Sequence, residues 1–233
     1  MLAAASSSRV IRRAGSKVSS SLKFTVSRAG RFTGKLRLGG RTRPFVGALD
    51  TNLFSRLVLA RGTTREMVVT LQWNRASDVI TGTVSNAFLQ AQLEGLCTMS
   101  GSGQAAAWAG TYPLEFLEPP DLGAASWHPF QLKIHPHGRF LFHGRLPGGA
   151  RVAESGTLAI SGAAVVHQGL HQGRGSLIGW LNVTHSVPPS ADGTLLWSRT
   201  ASTAHAGFNH QLVLAGLRTP STNTNSAVEL PLR

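Results

Sequence analysis

The chain has 233 residues, of which 42% are hydrophobic and 14% are charged, and its formal net charge is +13. This balance is typical of a folded protein with a sizeable core and excludes wholesale disorder. The single cysteine excludes an internal disulfide, and no run reaches the roughly 18 apolar residues that a membrane-spanning helix needs.

The positive charge is concentrated at the start of the chain. Eleven Lys and Arg residues and no acidic residue precede Asp50, so the rest of the chain is almost neutral. Residues 1–20 combine Ala, Ser and Arg without strand alternation, and we predict a disordered basic arm there. Three interpretations are open for the basic region: a solvated tail with charged strand faces, a polyanion-binding surface, or an organellar transit peptide. The candidate polyanion contacts are Arg28, Arg31, Lys35, Arg37, Arg41 and Arg43.

From Leu22 onward, short alternating segments separated by Gly, Asn, Asp or Pro predict β-strands. In the first half these are Leu22–Arg28, Arg31–Leu38, Arg43–Leu49, Ser55–Ala60, Glu66–Trp73, Val79–Val84 and Ala87–Leu93. The Gly-, Ser- and Ala-rich segment Cys97–Ala109 predicts a junction. In the second half the predicted strands are Thr111–Phe116, Phe130–His135, Arg139–Leu146, Arg151–Ile160, Ser176–Val183, Gly193–Ser198 and His210–Leu214. We expect a loop at Gln168–Leu170 and a loose tail over residues 219–233.

One segment of the sequence is repeated. Gly30–Gly40 reads GRFTGKLRLGG, Gly138–Gly149 reads GRFLFHGRLPGG, and an alternating strand precedes each copy. The repeat predicts an all-β fold, an antiparallel barrel or sandwich of about 12–14 short strands built from two similar halves. We expect one domain over residues 21–218, with halves 21–97 and 110–218, because joining two curled sheets would bury their edges.

Glycine and aromatic positions carry a family resemblance. Gly173–Leu181 reads GRGSLIGWL and is followed by GTLLW at Gly193–Trp197 and by Gly207-Phe208. This pattern resembles a β domain found near the C-terminus of large secreted or surface-associated bacterial proteins of the verrucomicrobial type, usually beside immunoglobulin-like repeats. The resemblance implies a non-catalytic surface module in which these positions are structural: Gly34, Gly39, Gly40, Gly144, Gly148, Gly149, Gly179, Trp180, Trp197, Gly207 and Phe208.

Catalytic and metal-binding patterns are weak. His135 and His137 flank a proline, and His167 and His171 lack a third ligand at a recognisable spacing. No G-x-S-x-G nucleophile motif occurs, Cys97 lacks an activating motif, and the ten carboxylates are scattered. We therefore predict no enzymatic activity, no metal site and no cofactor.

Tryptophans are the remaining candidates for a ligand contact. Trp73, Trp180 and Trp197 lie in strand patterns and are predicted to be core residues. Trp108 and Trp127 lie in predicted loops, where each is a candidate for stacking on a sugar ring, although covering a core edge is the commoner role.

These observations predict a non-enzymatic extracellular or cell-surface β module with a structural or binding role, carbohydrate being one candidate ligand. The alternative is a nucleic-acid- or polyanion-binding protein that uses the basic arm and the first hairpin. The surface location follows from the resemblance alone. Because residues 1–20 lack the apolar segment of a secretory signal, we expect a fragment or a misplaced start codon.

Overall fold

The computed structural model describes residues 5–12, 20–27, 29–38, 41–59, 66–87, 89–98, 105–117, 129–147, 149–201 and 206–219. Over these ranges it contains sixteen strands and two one-turn 3-10 helices, Ala105–Trp108 and His171–Gly173. The first half forms β1 (Ala5–Arg12), β2 (Ser20–Val26), β3 (Arg31–Leu38), β4 (Arg41–Ala48), β5 (Phe54–Leu59), β6 (Met67–Asn74), β7 (Val79–Asn86) and β8 (Leu89–Cys97). The second half forms β9 (Gly110–Phe116), β10 (Phe130–Ile134), β11 (Arg139–Arg145), β12 (Arg151–Thr157), β13 (Ala163–Leu170), β14 (Gly175–Val183), β15 (Ser190–Arg199) and β16 (Phe208–Leu217).

These strands form two antiparallel eight-stranded sheets. The first sheet has the order β4-β3-β2-β1-β8-β7-β6-β5, and the second has the order β12-β11-β10-β9-β16-β15-β14-β13. The two orders are the same, strand for strand. In each sheet, two four-stranded meanders are joined where the first strand pairs with the last. The predicted all-β antiparallel barrel architecture is therefore confirmed, whereas descent of the halves from one duplicated unit stays a prediction.

Each sheet curls around a hydrophobic core of its own, because alternate side chains along its strands are apolar and point inward. Fully burying one such Leu or Phe side chain stabilises the fold by about 1.5–3 kcal/mol. The first core includes Leu22, Phe24, Phe32, Leu36, Phe45, Val69, Leu71 and Leu93. The second core includes Tyr112, Leu114, Phe130, Leu132, Phe142, Leu177, Leu181, Leu195, Trp197 and Leu212.

The repeated GRF segment forms the same turn in both sheets. Gly30 and Gly138 have φ angles of 76° and 78°, a conformation that glycine adopts without steric cost. Gly30 N–H donates to Ser27 O at 3.0 Å, and Gly138 N–H donates to His135 O at 2.9 Å. The Gly-Arg-Phe order thus places a turn glycine and an inward-pointing phenylalanine at matched points of the two sheets.

A direct hydrogen bond joins the two sheets where the first ends. Ile160 N–H donates to Cys97 O at 3.2 Å, and Thr98 forms an isolated bridge with Ala159. This contact holds the end of β8 against the β12–β13 connection. The outer face of β8 consequently lies beside the outer face of the second sheet.

The outermost strands of the second sheet are connected by a side chain. Gln168 on β13 accepts a hydrogen bond from Ala153 N–H at 2.7 Å and donates one to Arg151 O at 3.3 Å. The amide group thereby takes the place of a backbone partner between β12 and β13. Because an unpaired strand edge invites further pairing, this bridge protects the seam of the second barrel.

Two strands depart from the sequence-based prediction. Ala5–Arg12 is not a disordered arm but β1, which lies at the centre of the first sheet between β2 and β8. Gln168–Leu170 is not a loop but the end of β13. Both segments lack the alternation of apolar residues on which the prediction relied, and backbone pairing with neighbouring strands places them in the sheets.

Candidate functional site

A cleft of about 550 Å³ lies where the outer face of the second sheet meets the outer face of β8. Its floor is formed by β14 and β15, and its opposite wall is formed by Glu94 and Leu96. Leu117, which is 63% exposed, and Ser161 lie at its margin. The cleft is therefore a concave site built from both halves of the chain.

Strand alternation places four side chains on the cleft floor. Leu181 is buried in the second core, so its neighbours Trp180 and Asn182 point outward. On β15, Asp192 and Thr194 point outward in the same way. The register sets Trp180 directly opposite Thr194, and Asn182 directly opposite Asp192. Directly opposite residues share a face and have Cβ atoms about 4.5–5.5 Å apart, so the four form one compact patch.

A close backbone contact fixes the position of the tryptophan. Gly193 lies between Asp192 and Thr194, and a Cβ atom at Gly193 would lie 2.0 Å from the Trp180 carbonyl oxygen. Only glycine allows β15 to approach β14 this closely. The glycine of the GTLLW segment therefore sets the spacing between the tryptophan and the polar side chains beside it.

The cleft is acidic in a basic protein. Its titratable lining residues are Glu94 and Asp192, and no Lys or Arg is among the described residues that line it. Asn182 adds an amide that can both donate and accept, and Trp180, half-buried, adds an aromatic face. This combination suits a ligand with several hydroxyl groups and an apolar ring face, and it repels anions.

A loop rich in hydroxyl groups lies at one end of the cleft floor, between β14 and β15. Thr184 Oγ1 and Ser190 Oγ are 2.7 Å apart, and Ser186 Oγ lies 3.0 Å from Thr184 Oγ1 and donates to Pro188 O at 2.8 Å. At the base of the loop, the His185 ring packs against Trp108 at a tilt of 31°, with 4.6 Å between ring centroids. These contacts connect the two ends of the loop next to Asn182 and Asp192.

Among the described side chains, none of the predicted polyanion contacts lines this cleft. Arg31 and Lys35 are exposed on the outer face of β3, whereas Arg43 is half-buried on the inner side of β4. Arg37 and Arg41 belong to β3 and β4 by backbone, and Arg28 lies outside the described residues.

The tryptophan predictions are partly wrong. Trp108 is not a surface stacking residue: it is 2% exposed and packs in the second core. Trp180 is not a core residue, because it belongs to the outward-facing set of β14. Trp197 is buried as predicted, Trp73 packs half-buried against the first core, and Trp127 lies outside the described residues.

Several motif positions have structural roles in the strands and turns. Gly34, Gly144 and Gly179 lie within β3, β11 and β14, and Gly149 has a φ of 85° in the turn before β12. Gly207 immediately precedes β16, where Phe208 packs edge-on against Trp197 at 4.6 Å. Gly39, Gly40 and Gly148 lie outside the described residues.

Within the described residues, no three His, Cys, Asp or Glu side chains converge where a metal ion could be held. The described part of the chain also contains no helix long and apolar enough to cross a membrane.

Comparisons with known proteins add little about function. No known protein family matches the sequence, and no curated protein does. Among solved structures, the chain is similar to a protein of unknown function from the DUF3598 family of Nostoc punctiforme, with 11% identity and a TM-score of 0.29. That alignment covers 93% of this chain and 94% of the other chain.

Proposed function

We propose that this protein is a non-enzymatic binding module that takes up neutral carbohydrate in the cleft between its two sheets. The observation that carries the proposal is the outward-facing patch of Trp180, Asn182 and Asp192, with Glu94 on the facing wall. A sugar ring presents an apolar face that can stack on an indole, and its hydroxyls can donate to carboxylates.

The form of the cleft supports binding more than catalysis. Trp180 and Asn182 lie on one strand, and Asp192 lies on the adjacent strand, so the sheet holds all three in fixed positions before a ligand arrives. A cell-surface or extracellular setting, together with descent of the two halves from one duplicated unit, belongs to the same proposal. It rests on the glycine and aromatic pattern of GRGSLIGWL and GTLLW.

A glycan array followed by titration calorimetry tests the proposal. We expect at least one neutral glycan class to bind, and we expect Trp180→Ala and Asp192→Ala each to weaken its affinity about tenfold or more, equivalent to about 1.4 kcal/mol. Thr81→Ala is the matched control, because Thr81 has the same place in the first sheet that Asp192 has in the second.

Tetramethylammonium is the second probe in this experiment. An aromatic face beside carboxylates also attracts organic cations, so the cation separates the two ligand classes. Binding of tetramethylammonium without binding of any glycan would contradict the carbohydrate proposal, as would glycan binding that Trp180→Ala leaves intact.

Polyanion binding is the second candidate, and the outer face of β2 and β3 favours it. Lys23 and Lys35 lie directly opposite each other there, with Arg31 exposed farther along β3. Lys23 contacts Glu154 at 3.8 Å, which leaves Lys35 and Arg31 for a ligand.

Deleting residues 1–20 would remove the central strand β1, so Arg31→Glu/Lys35→Glu is the appropriate variant. We expect it to abolish salt-sensitive nucleic-acid binding, and salt-insensitive or absent binding by the unaltered protein would exclude this function.

A further inference from the structure

A second concave site lies on the outer face of β11 and β12, away from the cleft. Its cavity has a volume of about 630 Å³ and is lined by His143, Arg145, Arg151 and Ala153, with Pro129 at one side. No Asp or Glu is among its described lining residues. This pocket is therefore basic, in contrast to the acidic cleft.

The strand register brings the two arginines together. Arg145 lies directly opposite Arg151, and His143 lies directly opposite Ala153, so all four side chains share the outer face. Both arginines are exposed, and no described carboxylate forms an ion pair with either of them. Like charges at directly opposite positions destabilise a sheet, and an anion bound between them would remove that repulsion.

Hydrogen bonds hold the backbone of this pocket in place. Between the two arginines, Leu146 N–H donates to Ala150 O at 2.9 Å and closes the turn. On the far side of β12, the Gln168 bridge engages Arg151 O and Ala153 N–H. Beside the pocket, Gln131 Oε1 on β10 lies 2.9 Å from Nε2 of the lining residue His143. The strand segments that carry the arginines are thus fixed before any ligand binds, which lowers the entropy that binding must overcome.

We propose that this pocket binds a tetrahedral oxyanion group, a sulfate or phosphate ester carried by a larger ligand. Each guanidinium offers a planar fork of N–H donors that matches oxyanion geometry. A dianion balances two arginines, whereas a single carboxylate leaves one positive charge uncompensated. The matched position of the first sheet pairs Arg37 with Thr42, so the pair of arginines is a feature of the second sheet.

Calorimetric titration with inorganic phosphate and inorganic sulfate, at an ionic strength held constant with sodium chloride, tests the proposal. We expect Arg145→Gln/Arg151→Gln to weaken the affinity for both anions at least tenfold. The matched control is Arg56→Gln/Lys133→Gln, which removes the same charge from exposed strand positions outside the pocket. We expect the control to change the affinity less than twofold.

Thermal unfolding supplies a second measurement on the same proteins. We expect phosphate to raise the midpoint temperature of unfolding of the unaltered protein and of the control. The midpoint temperature of Arg145→Gln/Arg151→Gln, the arginine variant, should not change. Without anion, the arginine variant should be at least as stable as the unaltered protein, because the repulsion is gone. Equal weakening in both double variants, absence of binding by the unaltered protein, or acetate binding as tightly as phosphate would each overturn the proposal.

Discussion

The two sheets have the same strand order but differ on the outer face at one matched place. In the first sheet, Thr70 lies opposite Thr83, their hydroxyl oxygens are 2.8 Å apart, and Thr83 N–H donates to Thr70 Oγ1 at 2.9 Å. In the second sheet, the corresponding pair is Trp180 and Thr194. The polar groups of the first pair satisfy each other, whereas the second pair presents an indole face. One scaffold thus carries a pair of hydroxyl groups bonded to each other on one sheet and an outward-facing indole at the matched place on the other.

Each sheet has a glycine next to this pair, Gly82 in the first and Gly193 in the second. A Cβ atom at Gly82 would lie 2.0 Å from Thr70 O, as one at Gly193 would from Trp180 O. We expect Gly82→Ala and Gly193→Ala each to lower the free energy of unfolding by about 3 kcal/mol, because backbone must move. Chemical denaturation of each variant measures its free energy of unfolding.

Gly169→Ala is the control for these two variants, since a Cβ there would meet nothing within 4 Å. It should change stability by less than about 0.5 kcal/mol. If Gly193→Ala lost no more stability than this control, the close approach of β15 to β14 would not be a constraint on the cleft.

The two sheets also differ at a matched position of their edge strands β13 and β5. The position of Gln168 in β13 corresponds to Leu59 in β5, which packs against the first core. We expect Gln168→Leu to cost about 0.5–1.5 kcal/mol, because Ala153 N–H and Arg151 O exchange their bonds to Gln168 for bonds to water.

Hydrogen exchange at Ala153 is the direct measurement of that bridge. The amide should exchange at least tenfold faster in Gln168→Leu and at an unchanged rate in Gln211→Leu, whose side chain is exposed on β16. Unchanged exchange in both variants would show that the second barrel does not depend on this side chain for closure.

The second core also contains the one tyrosine of the chain, Tyr112, and therefore differs from the first core in its response to alkali. Burial raises the pKa of Tyr112 above its usual value of 10.0, and the Arg218 guanidinium partly opposes that rise. Since the unfolded chain ionises first, the contribution of Tyr112 to stability should be constant below about pH 10 and should fall as the pH rises from there toward the folded pKa.

The ultraviolet absorbance of tyrosinate follows this titration without interference from a second tyrosine. Tyr112→Phe should remove this contribution to the alkaline loss of stability, and at neutral pH it should cost about 1 kcal/mol through the lost bond to Trp108 O, which is 2.8 Å long. Ionisation of Tyr112 at the ordinary pKa while the protein stays folded would contradict the burial argument.

The smallest expected effect comes from making the second sheet resemble the first. Trp180→Thr recreates the Thr–Thr pair at the matched register, and because Trp180 points away from the core, we expect stability to change by less than about 0.5 kcal/mol. Glycan binding should be lost in the same variant. A large loss of stability instead would show that the tryptophan is structural.

The repeated turn and the alternating strands could be predicted from sequence, because Gly30 and Gly138 are followed by Arg and Phe and are preceded by regular alternation. The cleft could not be predicted from sequence, because it depends on which β8 side chains face the second sheet. The outward position of Trp180 could not be predicted either, because residues 175–179 of β14 are all buried and alternation returns only over the last four residues of the strand. The strand β1 was out of reach, since its sequence has polar residues where a half-buried strand usually has apolar ones.

The pairing of the first strand with the last has a consequence for how each half folds. On leaving the ribosome, β1 can pair with β2 at once, but its other partner, β8, emerges only after the five further strands β3–β7, and the register joins Ser7 to Cys97. Contacts between distant parts of a chain slow folding, because the loop between them must close first. We therefore expect the β2–β4 meander to form early and barrel closure at β1 and β8 to limit the folding rate of the N-terminal half.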